Sequence, residues 1–217
     1  VIWALASSGG KDSTLALDRA VQQGHDVRYL FNLVHHATNR VRFHGVRADL
    51  IGRQARALGL TLHQRANRTD DFEAVFLAGL EDLVAAGVGG IIFGNIHLAD
   101  VRGWYEERTR SKGLEHDEPL WKGTPERLVR EFVERGYRAR ITSVDLARAN
   151  REWLGREIDE ALLEEILASP DVDVAGEFGE FHSFVFDGPL FDVPVECYTG
   201  GVHEEEGHAM IDLLPGT

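Results

Sequence analysis

The sequence predicts an α/β fold: a Rossmann-like parallel sheet with helices on both faces, followed by a smaller α+β C-terminal part. Three observations carry this. Strand-like and helix-like runs alternate from residue 1 to residue 93, as in a parallel sheet covered by helices. A glycine-rich turn, Ser8-Gly9-Gly10-Lys11-Asp12-Ser13, separates the first strand from the first helix. Past Trp121 the alternation stops, and strand-like runs gather near the C-terminus.

The elements follow in order. Residues 1–6 read as a short buried strand, and residues 13–23 as a helix ended by Gly24. Residues 26–34, rich in Val, Tyr, Leu and Phe, read as a second strand, and residues 35–44 as a polar loop. A helix over 46–58, with Gly59 past its end, precedes a short strand at 60–63. Thr69 is placed to cap a helix whose Phe72, Val75, Phe76, Gly79, Leu80, Leu83 and Val84 share one face at helical spacing. Gly89-Gly90 leads into a fourth strand at 91–93. Residues 100–112 read as a charged helix and 119–121 as an extended stretch. Thr124 and Pro125 suit the cap and first position of the next helix. A strand over 137–144, a helix faced by Ile158, Leu162 and Ile166, and strands at 181–186, 193–198 and 208–213 complete the chain. Two domains are expected, 1–121 and 122–217.

Composition narrows the function. The chain has 217 residues and a net charge of −13. An acidic surface argues against non-specific nucleic-acid binding, where Lys and Arg must neutralise phosphates. No apolar run reaches the length of a membrane span. No basic n-region precedes the first strand, so no signal peptide is expected. The single cysteine, Cys197, excludes a disulfide within the chain, a cysteine zinc site and a sulfur relay. A reducing cytoplasm is the expected compartment.

The glycine turn has a mechanical meaning in its context. Gly9 and Gly10 let backbone N–H groups approach an anion, Ser8 and Ser13 add hydroxyls, and the helix N-terminus adds partial positive charge. Lys11 supplies a full charge for phosphate, and Asp12 is a candidate ligand for Mg²⁺. The turn is not a Walker A loop, since GxxxxGK[ST] is absent. It resembles the SGGxDS loop of the N-type ATP pyrophosphatases, in the adenine nucleotide alpha hydrolase-like superfamily, which bind the pyrophosphate end of ATP.

Further motifs narrow the resemblance. Gly87-Val88-Gly89-Gly90-Ile91-Ile92-Phe93-Gly94-Asn95-Ile96 is followed by Glu118-Pro119-Leu120-Trp121 and by Gly176-Glu177-Phe178-Gly179-Glu180-Phe181-His182-Ser183. Phe43-His44 lies after the second strand. This order resembles the diphthine–ammonia ligase family, and the resemblance runs from Ser8 to Phe191. Two positions depart from the family pattern. Asn95 stands where Asp is usual, and Arg108, Thr109 and Arg110 occupy a region that often carries Cys.

The resemblance implies that ATP activates a carboxylate as an acyl-adenylate, releasing pyrophosphate, and that ammonia then forms an amide as AMP leaves. In the named enzymes the carboxylate belongs to diphthine, a modified histidine of elongation factor 2. ATP and Mg²⁺ are therefore the expected cofactors, and ATP, ammonia and a protein-borne carboxylate the expected partners. A homo-oligomer is compatible with the sequence.

Site residues follow from the same motifs. Asn32, His44 and Gly94 are expected at the nucleotide, beside residues 8–13. Glu177 and Glu180, in a glycine-rich turn, are suited to hold ammonium or act as general base; a solvated turn is the alternative. His182 and Phe181 point to opposite faces of one strand. Asn95, Trp104 and His182 are expected at the acceptor, although an aromatic such as Trp104 or Trp121 is more often core. His35, His36 and His44 match no standard zinc spacing. Two other functions remain open on sequence: tRNA modification on the same fold, and a non-catalytic ATP sensor.

Overall fold

A computed structural model describes residues 1–216. The first sheet contains β1 (Ile2–Ala6), β2 (Asp26–His35), β3 (Thr61–Asn67), β4 (Val88–Ile92) and β5 (Glu115–Asp117). Its order is β3-β2-β1-β4-β5, and every pairing is parallel. The helices are α1 (Lys11–Gln22), α2 (Ala48–Ala57), α3 (Phe72–Ala85) and α4 (Ala99–Ser111). One sheet face packs on α3 and α4 through Phe31, Phe76, Leu80, Leu83 and Tyr105. The other packs on α1 and α2 through Leu5, Leu15, Leu50 and Ile51. The expected parallel α/β architecture is thus present.

The second part holds α5 (Pro125–Glu134), β6 (Arg138–Asp145), α6 (Glu160–Leu167), β7 (Phe181–Asp187), β8 (Cys197–Glu205) and β9 (His208–Pro215). Its four strands form an antiparallel sheet in the order β7-β6-β9-β8. Buried Trp153, Phe181 and Phe184 belong to the same apolar core as α1 and α2.

Polar contacts lock the two sheets at one place. Val185 N–H donates to the Gly9 carbonyl at 2.9 Å. The Gln54 amide donates to the carbonyls of Gly9 and Val185 at 3.0 and 2.7 Å. Asp212 on β9 accepts from Arg40 and Arg47 at 2.7 and 2.6 Å, which pins the β2–α2 loop. β7 therefore lies against the glycine turn.

Several element bounds differ from the sequence reading, each for a local reason. β4 begins at Val88, so Gly89 and Gly90 are inside the strand. A Cβ on Gly90 would lie 2.5 Å from the Trp3 ring, so glycine here admits the indole. Asp71, not Thr69, precedes α3 and accepts from Arg68 N–H at 2.6 Å. Phe72 and Val84 stay exposed at the ends of the α3 face. Residues 119–121 are a turn rather than extended, closed by Trp121 N–H donating to the Glu118 carbonyl. β5, only three residues long, was not expected, and β8 starts later than the predicted 193–198.

Candidate functional site

The strand order reverses direction between β1 and β4, the place where open α/β sheets form a crevice at the strand C-termini. A cavity of about 570 Å³ opens there, within the usual range for a ligand pocket. Its lining includes residues 6–8, 10–13, 31–33, 41–44, 93–95, 175–177 and 181–183.

The turn is held from within. Gly9 has φ 87°, a left-handed conformation that favours glycine. The Ser7 hydroxyl accepts from Gly9 N–H at 2.9 Å and lies 2.8 Å from Ser13 Oγ. Ser13 Oγ donates to the Gly10 carbonyl at 3.0 Å. Gly94 permits close approach, since a Cβ there would lie 2.7 Å from Ser13 N. Ser8, Gly10, Lys11, Asp12 and Ser13 all line the cavity.

Lys11 is placed differently from expectation. Its side chain is 5% exposed, and Nζ donates to Asp12 Oδ2 at 2.9 Å and to the Ala175 carbonyl. It also lies 5.1 Å from the Phe181 ring centre. The ammonium thus ties the turn to the C-terminal segment instead of standing free at the strand end. Burial raises the Asp12 carboxyl above its ordinary range; the Lys11 charge opposes this and Asp173 adds to it.

The two glutamates of the glycine-rich turn separate. Glu177 lines the cavity, and its Oε2 accepts from Ile96 N–H at 3.1 Å. Burial, and then the Asp12 charge, raise its pKa. Glu180 is buried and does not line the cavity. Its two oxygens accept from the backbone N–H groups of Asp173 and Phe178 at 3.1 and 3.0 Å. The expectation that Glu180 faces the reactants is corrected: it braces the loop that presents Glu177, because its side chain points back into the loop.

Other expected residues are distributed as follows. Asn32 lines the cavity, but its amide is engaged, donating to the Ser7 carbonyl and accepting from Gln64, both at 2.8 Å. His44 and His182 both line the cavity with ring centres 4.2 Å apart. Burial lowers the His44 pKa to about 4 and the His182 pKa well below its ordinary value. Both imidazoles are therefore neutral near pH 7. Asn95 lines the cavity and donates to Glu118 at 2.9 Å. Trp104 does not line it; its ring packs against Phe72, Phe76 and Tyr105 behind the sheet, under the Arg108 guanidinium. Trp121 is covered by Arg102 at 4.6 Å.

Sequence reasoning passed over Ser7, Asp173 and Ser183. Ser183 Oγ accepts from Lys11 N–H at 3.2 Å. Asp173 Oδ1 accepts from the N–H groups of Ala175 and Glu177 at 2.9 and 3.3 Å. Only Ser183, beside the Glu-Phe-His motif, carried a sequence signal. Among the described residues no group of three or more His, Cys, Asp or Glu side chains is arranged to hold a metal ion. Mg²⁺ commonly binds through one or two carboxylates plus phosphates and water. Asp12, alone or with Glu177, fits that smaller requirement.

A parallel sheet with a glycine turn and helix N-terminus at its switch point defines a nucleotide-binding enzyme architecture. Comparisons with known proteins narrow the class. Residues 2–116 match the family described as "Diphthamide synthase N-terminal domain", and residues 124–212 match "Diphthamide synthase C-terminal domain". The chain is 30% identical to a Homo sapiens protein named diphthine–ammonia ligase, over 95% of this chain and 87% of the relative. It is 27% identical to the Mus musculus protein of the same name over the same shares. A Bos taurus relative of that name is 30% identical over 85% of this chain and 78% of the relative. The chain belongs to the diphthamide synthase family. It is an enzyme of the ATP-dependent ligase class. No helix among the described residues is long and apolar enough to cross a membrane.

Proposed function

We propose that this enzyme adenylates a diphthine-like carboxylate and transfers ammonia to it, releasing AMP and pyrophosphate. One observation supports the reading: the glycine turn and the Glu177 segment form two adjoining walls of one cavity. The first wall suits the phosphates of ATP, and the second suits a nitrogen nucleophile. In the first step a carboxylate oxygen attacks the α-phosphorus and the bond to the β-phosphate oxygen breaks. In the second, ammonia attacks the acyl carbon and AMP departs with the electrons of the carbon–oxygen bond. One proton must leave the nitrogen. Glu177, held by Ile96 N–H, is the carboxylate placed to take it.

Residues 8–13 bind and orient the phosphates through backbone N–H groups and hydroxyls. Mg²⁺ held by Asp12 would neutralise departing pyrophosphate. Asn32, His44 and Gly94 serve the nucleotide, and Asn95 and His182, next to Gly94 and His44, serve the acceptor where the two meet. Residues 122–217 supply the acceptor wall, and elongation factor 2 is the acceptor to test first.

The deciding experiment is product analysis with ATP, ammonium and diphthine-bearing elongation factor 2. AMP and pyrophosphate that depend on both ammonium and the acceptor support the proposal. ADP and phosphate would overturn it.

A further inference from the structure

The departure at position 95 has a structural partner. Asn95 Nδ2 donates to Glu118 Oε1 at 2.9 Å. The same oxygen lies 2.8 Å from His116 Nε2, and both side chains are only 1% exposed. His116 is itself fixed, with Nδ1 3.1 Å from Thr109 Oγ1 and its ring stacked on Phe93 at 4.9 Å. Glu118 Oε2 has no hydrogen-bond partner, and the Arg102 guanidinium lies 3.7 Å away. Glu118 Oε1 is thus shared by the Asn95 amide, whose Nδ2 donates to it, and the His116 ring. Turning the Asn95 amide over would set Oδ1 against that carboxylate oxygen. The amide therefore has one allowed orientation, with Nδ2 toward Glu118. Its Oδ1 makes no hydrogen bond within the described protein, and the residue lines the cavity. The next residue, Ile96, donates its N–H to Glu177 at 3.1 Å, and Asn95 and Glu177 line the same cavity.

We infer that His116 and Glu118 are positioning residues that lock the Asn95 amide so that Oδ1 offers ammonia an uncharged acceptor beside Glu177. This rests on the ligase reading above. An amide oxygen favours an N–H donor and, unlike a second carboxylate, does not hold the nucleophile as ammonium. Ammonia so held keeps its lone pair for the acyl carbon.

The test uses the full chain and the variants Asn95→Asp, Glu118→Gln, Asn95→Ala and the Asn95→Asp/Glu118→Gln double variant. In urea unfolding, Asn95→Asp should lower the midpoint because two carboxylates meet. The double variant should regain most of it, because Glu118→Gln removes one of the two facing charges. Independent, additive effects would overturn the lock, and this readout needs no catalysis. In kinetics, Asn95→Ala should raise KM for ammonium about tenfold, as for loss of a strong hydrogen bond, and leave KM for ATP unchanged. A matching rise for ATP would place Oδ1 at the nucleotide and overturn the ammonia assignment. If the wild-type protein forms no AMP, the ligase reading fails and the ammonia assignment with it, while the unfolding cycle still decides the lock. If Glu118→Gln does not fold, Asn95→Ala alone decides between ammonium and ATP.

Discussion

Lys11 Nζ donates to the carboxylate of its sequence neighbour Asp12 at 2.9 Å, and the same ammonium donates to the Ala175 carbonyl of the C-terminal segment. The first turn of α1 and the C-terminal segment are thereby joined through one buried cation. Lys11→Ala should therefore cost stability as well as turnover. It leaves a carboxylate and a carbonyl without their donor, a loss of about 2 kcal/mol or more. Urea unfolding checks this; an unchanged midpoint would mean that Lys11 serves only the phosphates.

Glu177 and Glu180 should behave as different kinds of residue. Glu177→Gln should keep the unfolding midpoint and lower the rate of amide formation about 10²-fold, at the low end of an acid–base contribution. Glu180→Gln turns one acceptor into a donor facing a backbone N–H. It should destabilise by about 1–3 kcal/mol, the cost of an unsatisfied buried group. Parallel denaturation and rate measurements separate the two, and equal stability losses would contradict the assignment.

Gly94→Ala should weaken ATP binding. The added methyl would meet backbone atoms, Ser13 N at 2.7 Å and the Asp12 carbonyl carbon at 2.8 Å, which cannot swing aside as a side-chain tip can. The strand and turn must separate, at about 1–3 kcal/mol of overpacking. Calorimetric ATP titration, with urea unfolding alongside, measures both effects.

The His44–His182 pair should weaken the fold in mild acid. The folded His44 pKa is lowered to about 4 from the ordinary 6.5, and that of His182 also falls, mainly through burial. Between those pH values the unfolded chain binds more protons, so this pair's contribution to stability is lost as pH falls from 6.5 toward 4. Asp12 and Glu177 act in the opposite sense, because their raised carboxyl pKa values favour the folded state as they protonate. The comparison is therefore between wild type and His44→Asn/His182→Asn. The variant should lose about 1–2 kcal/mol less between pH 7 and pH 5, after allowance for partial exposure. Identical pH profiles would show that the imidazoles are not held neutral.

The sequence by itself determined the parallel sheet, the glycine turn at its crevice and the ligase family. Those features are written in short-range spacing: alternating apolar runs, glycines where the backbone must come close, and contiguous motifs. The choice between Glu177 and Glu180 was not readable, because both stand in the same glycine-rich turn and only its folded path sends one carboxylate into the cavity and the other into the loop. Nor was the burial of Lys11, whose carbonyl partner is 164 residues away. Trp104 read as an acceptor residue, although an aromatic is more often core, and α4 packs its ring on Phe72 and Phe76. Asn95 read as a departure from a motif and as an acceptor residue, without the partner that orients it. Its partner Glu118 lies 23 residues on, and it was the pairing of β4 with β5 that carried the chain back to Asn95 and set a buried carboxylate against its amide.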